Sequence, residues 1–278
     1  MRKLCGFITA LVLLLIVTGC GGGGGGGGGG SNVNFPTPAL PAGAVKIDAM
    51  NAEAIANSAL DFTGILSGLA AKTDGPPSIP QVIKLVTDQV TKRNRNLGSK
   101  TAGKTEDVSA FFCVTGTAID TFTENANSAS GKIIFSNCDV GGGIFLNGTF
   151  PYEASWNDTT LDYNFHFGGS LDFSDGTDTI TIVLNFTESG NDGTGDFSST
   201  PSFSLDGIPG GGYLVTTVQP LQGNFFSAEL TSGELNVEGA DNTQLCMTVT
   251  AINTFTVEFD DGLGGGCVPL ATPLDIVI

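Results

Sequence analysis

The sequence predicts an α+β protein that is mostly β, with two N-terminal helices followed by a large curved antiparallel sheet of about ten strands. Three observations carry this. Apolar residues recur at threes and fours before residue 91, and at twos after Val108. Turn formers (Gly, Asn, Asp) interrupt the second pattern at short intervals. The sheet face so defined is aromatic and aliphatic on one side and rich in Thr, Ser, Asn and Asp on the other. An apolar face must be covered, by the helices or by folding onto itself, so a two-sheet β-sandwich is the alternative.

The first helix is read from Ile47, Met50, Ala54, Ile55, Ser58, Phe62, Ile65, Leu66 and Leu69, with Gly64 and Gly68 weakening its second half. Asp74-Gly75-Pro76-Pro77 ends it. A second helix is expected from about Pro80, with Val82, Ile83, Val86 and Val90 on one face. The polar, basic stretch that follows, with Lys92, Arg93, Arg95, Lys100 and Lys104, is read as a linker or helix end, or as a segment docked on the acidic sheet or on anionic lipid.

Two turns allow strands to be registered. Asp175-Gly176 as a two-residue hairpin loop sets Leu171 opposite Ile180 and Phe167 opposite Leu184. Asn157-Asp158 sets Tyr152 opposite Tyr163 and Phe150 opposite Phe165. Both place the apolar side chains on one face, predicting a three-stranded meander over about residues 144–187. Further strands are expected at Tyr213–Val218, Asn224–Leu230, Leu235–Gly239, Leu245–Val249 and Phe255–Phe259.

Four cysteines lie in this region, and three pairings are formally possible. Cys113–Cys138 and Cys246–Cys267 are favoured, joining adjacent strands or closing the Asp260–Gly266 loop. Close Cys or His pairs of the kind zinc requires are missing.

The chain opens with Arg2 and Lys3, an apolar run from Phe7 to Val17 too short to span a bilayer, then Val17-Thr18-Gly19-Cys20 and ten glycines, Gly21 to Gly30. Over residues 1–20 it resembles the bacterial lipoproteins, whose lipobox is an aliphatic residue, two small residues and a cysteine. That resemblance implies cleavage before Cys20, a lipid on its sulfur and an acylated N-terminus. More than one acyl chain anchors a protein stably, at ~0.8 kcal/mol per buried methylene. Gly21, not aspartate, follows the cysteine, which in the same resemblance implies the outer membrane, facing either the periplasm or the exterior. Residues 1–19 are thus the expected signal peptide and 20–46 a Gly/Pro-rich tether. A helical segment with its basic linker (47–107) and a β-rich region (108–278) form one folded domain.

Without Arg2 and Lys3 the chain carries nine basic and 28 acidic residues, a formal charge of −19. No Lys or Arg occurs after Lys132, against nineteen Asp and Glu. Nothing there could neutralise phosphates, so nucleic acid is excluded as a partner of that region. The sole histidine, His166, falls on the polar face with Asn185 opposite, and no nucleophile elbow or Ser-x-x-Lys motif accompanies it. An enzyme is not expected, nor is a cofactor.

The remaining readings are of binding. The leading one is an envelope lipoprotein acting as a structural or protein-interaction module. A second is a carrier of lipid or another apolar ligand, lined by Phe150, Tyr152, Tyr163, Phe165, Phe167, Leu184 and Phe186. That version is similar at fold level to the lipoprotein-sorting half-barrels of the envelope. A filled core explains the same aromatics. A third reading is a calcium-dependent adhesion or glycan-binding surface. It would draw on Asp192 and Asp196 in one loop and Asp260 and Asp261 in another, since calcium takes six to eight oxygens. Such residues are also ordinary turn formers.

Overall fold

The computed structural model describes residues 33–66 and 101–277. Within them lie helix α1 (Ala52–Leu66), strand β1 (Thr101–Asp107), a short helix α2 (Ser109–Phe112) and eleven further strands. These are β2 (Thr115–Asn125), β3 (Ser128–Asp139), β4 (Phe145–Trp156), β5 (Asp162–Ser174), β6 (Thr179–Asn191) and β7 (Asp196–Asp206). β8 (Tyr213–Asn224), β9 (Glu229–Glu238), β10 (Gln244–Ala251), β11 (Thr254–Asp260) and β12 (Val268–Val277) complete them. All twelve form one antiparallel sheet in sequence order, an up-and-down meander with β1 and β12 at its edges. The mostly β reading therefore holds, as one sheet and not a sandwich.

The sheet curls around its apolar face. A single cluster of buried side chains draws on every strand from β2 to β12 and on α1. Alternation supplies it: Ile182, Leu184 and Phe186 point inward on β6, as do Leu235 and Val237 on β9. One bend is written in glycine. At Gly148 (φ +128°) and Gly169 (φ +141°) an added Cβ would lie 2.2 and 2.1 Å from carbonyl oxygens of the facing strand. Only glycine allows β4 and β5 to approach with that backbone.

Helix α1 covers part of this interior. Asp48 accepts hydrogen bonds from Met50 and Asn51 N–H through Oδ1, starting the helix. Its buried face is Ala52, Ile55, Ala56, Ala59, Leu60, Phe62 and Thr63. This corrects the expected stripe: Met50 is 92% exposed, Ala54 and Ser58 are outward of the core, and alanines take the close positions. Phe62 stacks on Phe203 of β7 with ring centroids 4.3 Å apart. Ser58 Oγ lies 2.8 Å from the Tyr213 hydroxyl of β8. Burial pushes that hydroxyl up to about 12, with the Ser58 hydrogen bond opposing and the Asp61 charge adding. The folded state thus keeps a proton the unfolded chain releases near pH 10. The corresponding stability is full below that pH and is lost as pH rises through about 12. We expect a loss on the order of 2–3 kcal/mol. Urea midpoints at pH 9 and 11.5 test it, with Tyr213→Phe removing this part of the drop.

Three boundaries differ from expectation. The tether was expected to run to residue 46, yet Phe35, Pro36, Gly43, Val45 and Lys46 already contact the domain. Strand pairing begins at Thr101, seven residues before the expected start of the β region. Asn224–Leu230 is not one strand: residues 225–228 are the turn between β8 and β9, with Asn224 ending the first and Glu229 and Leu230 opening the second. The expected second helix, the signal segment, Cys20, the glycine run and the basic cluster apart from Lys104 lie outside the described residues. Lys104 pairs with Glu106 and lies over the Phe122 ring at 5.9 Å.

Both predicted registers slip by even numbers. Leu171 faces Ile182 and Phe167 faces Phe186, two residues on. Tyr152 faces Phe167, four residues on. The loops are longer because their first side chains cap them. Asp175 Oδ1 accepts from Thr177 and Asp178 N–H, and Asn157 Oδ1 from Thr159 and Thr160 N–H. Even slips leave every residue on its predicted face. Both favoured disulfides are present, Cys113–Cys138 with Cα atoms 5.0 Å apart and Cys246–Cys267 at 6.2 Å.

Candidate functional site on the outer face of the sheet

The outer surface of β5, β6 and β7 carries the least ordinary features of the molecule. Residues 35–41, preceding α1, lie against it as a strap, followed by a turn that closes with Ala44 N–H donating to the Pro41 carbonyl. Phe35 stacks on the His166 ring, with centroids 3.4 Å apart and planes 19° from parallel. His166 Nε2 lies 2.8 Å from Asn185 Oδ1, and Asn185 Nδ2 donates to the carbonyl of Pro36 at 3.2 Å. Pro38 is buried. Main-chain pairing with the sheet starts only at the far end, where Gly212 N–H donates to Gly43 and Val45 N–H donates to Gly212. His166 thus acts as a platform for the strap. Its cross-strand partner is Thr187, and the Asn185 contact runs diagonally.

Towards the opposite end of the sheet, the same strands finish in a polar ladder. The segments Asn157–Asp162, Asn191–Asp196 and Asn224–Glu229 share one pattern: Asn first, Thr or Ser fourth, Asp or Glu sixth. In each, the asparagine Oδ1 accepts two backbone N–H groups of its own turn. In each, the fifth residue has positive φ: Leu161 +63°, Gly195 +81°, Ala228 +54°. The asparagines also tie neighbouring turns together. Asn191 Nδ2 donates to Thr160 O at 2.8 Å and to Asp162 Oδ1 at 2.7 Å, and Asn224 Nδ2 donates to Thr194 O and Asp196 Oδ1. Asp162 is held below the usual carboxylate range by Thr160 first and Asn191 second. Asp196 is lowered likewise by Asn224 and then Thr194. A repeat of 33–34 residues was therefore readable in the sequence, as Asn-x-x-Thr/Ser-x-Asp/Glu, but a search for strand periodicity passes over it because it falls in the turns.

Between these turns lies an open recess of about 430 Å³, lined by Asp162, Asn164, Ser189, Asn191, Asp196 and Ser198 among others. Asn191 organises it from both sides. Asn191→Ala removes four hydrogen bonds at once, and we expect it to cost about 1–3 kcal/mol. At roughly 2–4 °C per kcal/mol for a domain of this size, the melting temperature should fall by several degrees. It should also raise the Asp162 pKa, readable by carboxyl NMR titration. An unchanged melting temperature would show the ladder to be ornamental.

The other predicted residues fall elsewhere. Phe150, Tyr152, Phe167, Leu184 and Phe186 lie in the interior, packed as a core. Phe167 stacks on both Phe150 (5.6 Å) and Phe186 (4.5 Å). The Tyr152 hydroxyl donates to Asp120, itself 1% exposed. Tyr163 is buried at the turn end, donating to Glu188 Oε1, with half-buried Phe165 tilted against it. Asp192 lies in the β6–β7 turn and Asp196 opens β7, whereas Asp260 ends β11 and Asp261 begins its loop, so the two pairs are four strands apart in the sheet. Asp260 Oδ1 accepts from Gly262 N–H and Asp261 Oδ1 from Leu263 N–H, as turn caps do. Among the described residues, no three His, Cys, Asp or Glu side chains converge in a group suited to a metal ion.

No protein-family model matches the chain, and neither a curated protein nor a solved structure matches it.

Proposed function

We propose that the chain is a non-enzymatic lipoprotein of the bacterial envelope, anchored in the outer membrane through Cys20 and presenting its polar outer sheet face to a protein partner. The observation that carries this reading is the pair of closed disulfides in a domain that follows a lipobox-like junction. Disulfides persist in oxidising compartments outside the cytoplasm, which is where a lipidated Cys20 would place the domain. The filled interior supports interaction over carriage, because the rings a ligand would line up against already stack on one another.

The anchor is tested with Cys20→Ala. The unaltered protein should fractionate with membranes and carry a lipid mass increment on its N-terminal peptide. The variant should leave the membrane fraction. Recovery of the unaltered protein in the soluble fraction, with Cys20 unmodified, would overturn the reading.

A further inference from the structure

The strap across the outer face is bound in the manner of a ligand. Its residues 35–41, Phe-Pro-Thr-Pro-Ala-Leu-Pro, contain three prolines. Segments of that composition are extended before they bind and lose little entropy on docking. They are recognised by aromatic stacking and by side chains that read the chain's carbonyls. Both are present: the His166 ring takes Phe35, and Asn185, in contact with that same ring, donates to the Pro36 carbonyl. Pro38, of a residue type usually exposed, is buried against the domain. Among the described residues no backbone–backbone hydrogen bond joins residues 35–40 to a strand, so this stretch lies on the face of the sheet and does not extend its edge.

We propose that the His166–Asn185 surface is a recognition groove for extended Phe-Pro-x-Pro peptide segments, occupied at rest by the chain's own strap. The competing occupant is a segment of the same chemistry on another protein, and the strap is then an autoinhibitory plug. The proposal extends the envelope reading but does not depend on lipidation. A segment tethered by a few residues sits at an effective concentration on the order of 1 mM, which masks a site of ~0.1 mM affinity by about tenfold. Release of the strap should uncover that factor.

The test uses a fluorescein-labelled peptide with the sequence of residues 33–42. Its binding is read by anisotropy against the whole protein in detergent, unaltered, as Phe35→Ala, and with residues 33–40 deleted. Deleting residues 33–40 should tighten binding by about tenfold, and Phe35→Ala by several-fold towards that limit. Adding Asn185→Ala or His166→Ala to the Phe35→Ala form should abolish the gain. The proposal is overturned if a form with native circular dichroism binds no more tightly than the unaltered protein, or if Asn185→Ala and His166→Ala both leave binding intact. Loss of fold in both strap variants would overturn it too, since a displaceable occupant cannot be required for folding.

Discussion

Replacing all four paired cysteines with alanine should leave the domain largely unfolded at 37 °C. Cys113–Cys138 closes a loop of 25 residues and Cys246–Cys267 one of 21. In the chain-entropy account each constrains the unfolded state by about 3 kcal/mol, or ~6 kcal/mol together. Domains are typically stable by only about 5–15 kcal/mol. The bridges also brace both flanks of an open sheet. One fixes the lead-in to β2 against the end of β3, and the other fixes β10 against the loop before the edge strand β12. Each pair removed alone should lower the urea midpoint measurably, and the two losses should add, since the pairs share no contacts. A single-pair variant within about 0.5 kcal/mol of the unaltered protein would show that its bridge closes a loop the fold already holds.

Phe203→Ala is expected to be the most damaging single core substitution at the join between helix and sheet. The ring is fully buried on β7, flanked by Leu184 and Val215 on the neighbouring strands and stacked on Phe62 of α1. Truncating a buried phenylalanine costs about 3–5 kcal/mol, from lost transfer energy and the cavity left behind. Stacking adds a smaller pairwise part, on the order of 1 kcal/mol. Phe62→Ala should cost a comparable amount. The double variant should cost less than their sum, because each single change already breaks the stack. Hydrogen exchange gives the spatial check. Amides of α1 should lose protection in Phe203→Ala before those of β4 to β6 do. Uniform loss across helix and sheet would mean that α1 folds with the sheet as one unit and is not held chiefly by this contact.

The faces of the strands were legible in sequence, while their partners were not. Alternation places Phe150, Phe167, Leu184 and Phe186 inward whatever the register, because any even slip preserves the face. Loop length decides the register, and there a dipeptide rule competes with side-chain capping. Asp175 and Asn157 each satisfy two backbone N–H groups, and that stabilises a wider turn than two residues. Helix α1 was legible as a helix, but its buried face was not. Close approach to the sheet selects Ala52, Ala56 and Ala59, which carry little hydrophobic signal. The disulfides were legible because cysteines close in sequence stay close on a meander: Cys113, leading into β2, meets Cys138 of β3, and the loop after β11 carries Cys267 back to Cys246 of β10. The strap was not. Phe35 to Pro41 has no periodicity, and its partners His166 and Asn185 lie more than a hundred residues away. Proline-rich sequence next to oligoglycine reads as more tether until a surface for it is seen.

The strap also resets the leash. Were the tether free as far as Ile47, the domain could stray ~90 Å from an anchored Cys20, counting about 3.4 Å per residue. If Cys20 carries the proposed anchor, the chain between it and Val33, where the described part of the domain begins, spans at most ~45 Å. The volume such a domain can sweep scales as the cube of that radius and shrinks to about a tenth. Peeling the strap off would restore most of it, so under the proposed anchoring the strap contacts, the Phe35–His166 stack and the Asn185–Pro36 hydrogen bond among them, would set how far from the bilayer the domain can search.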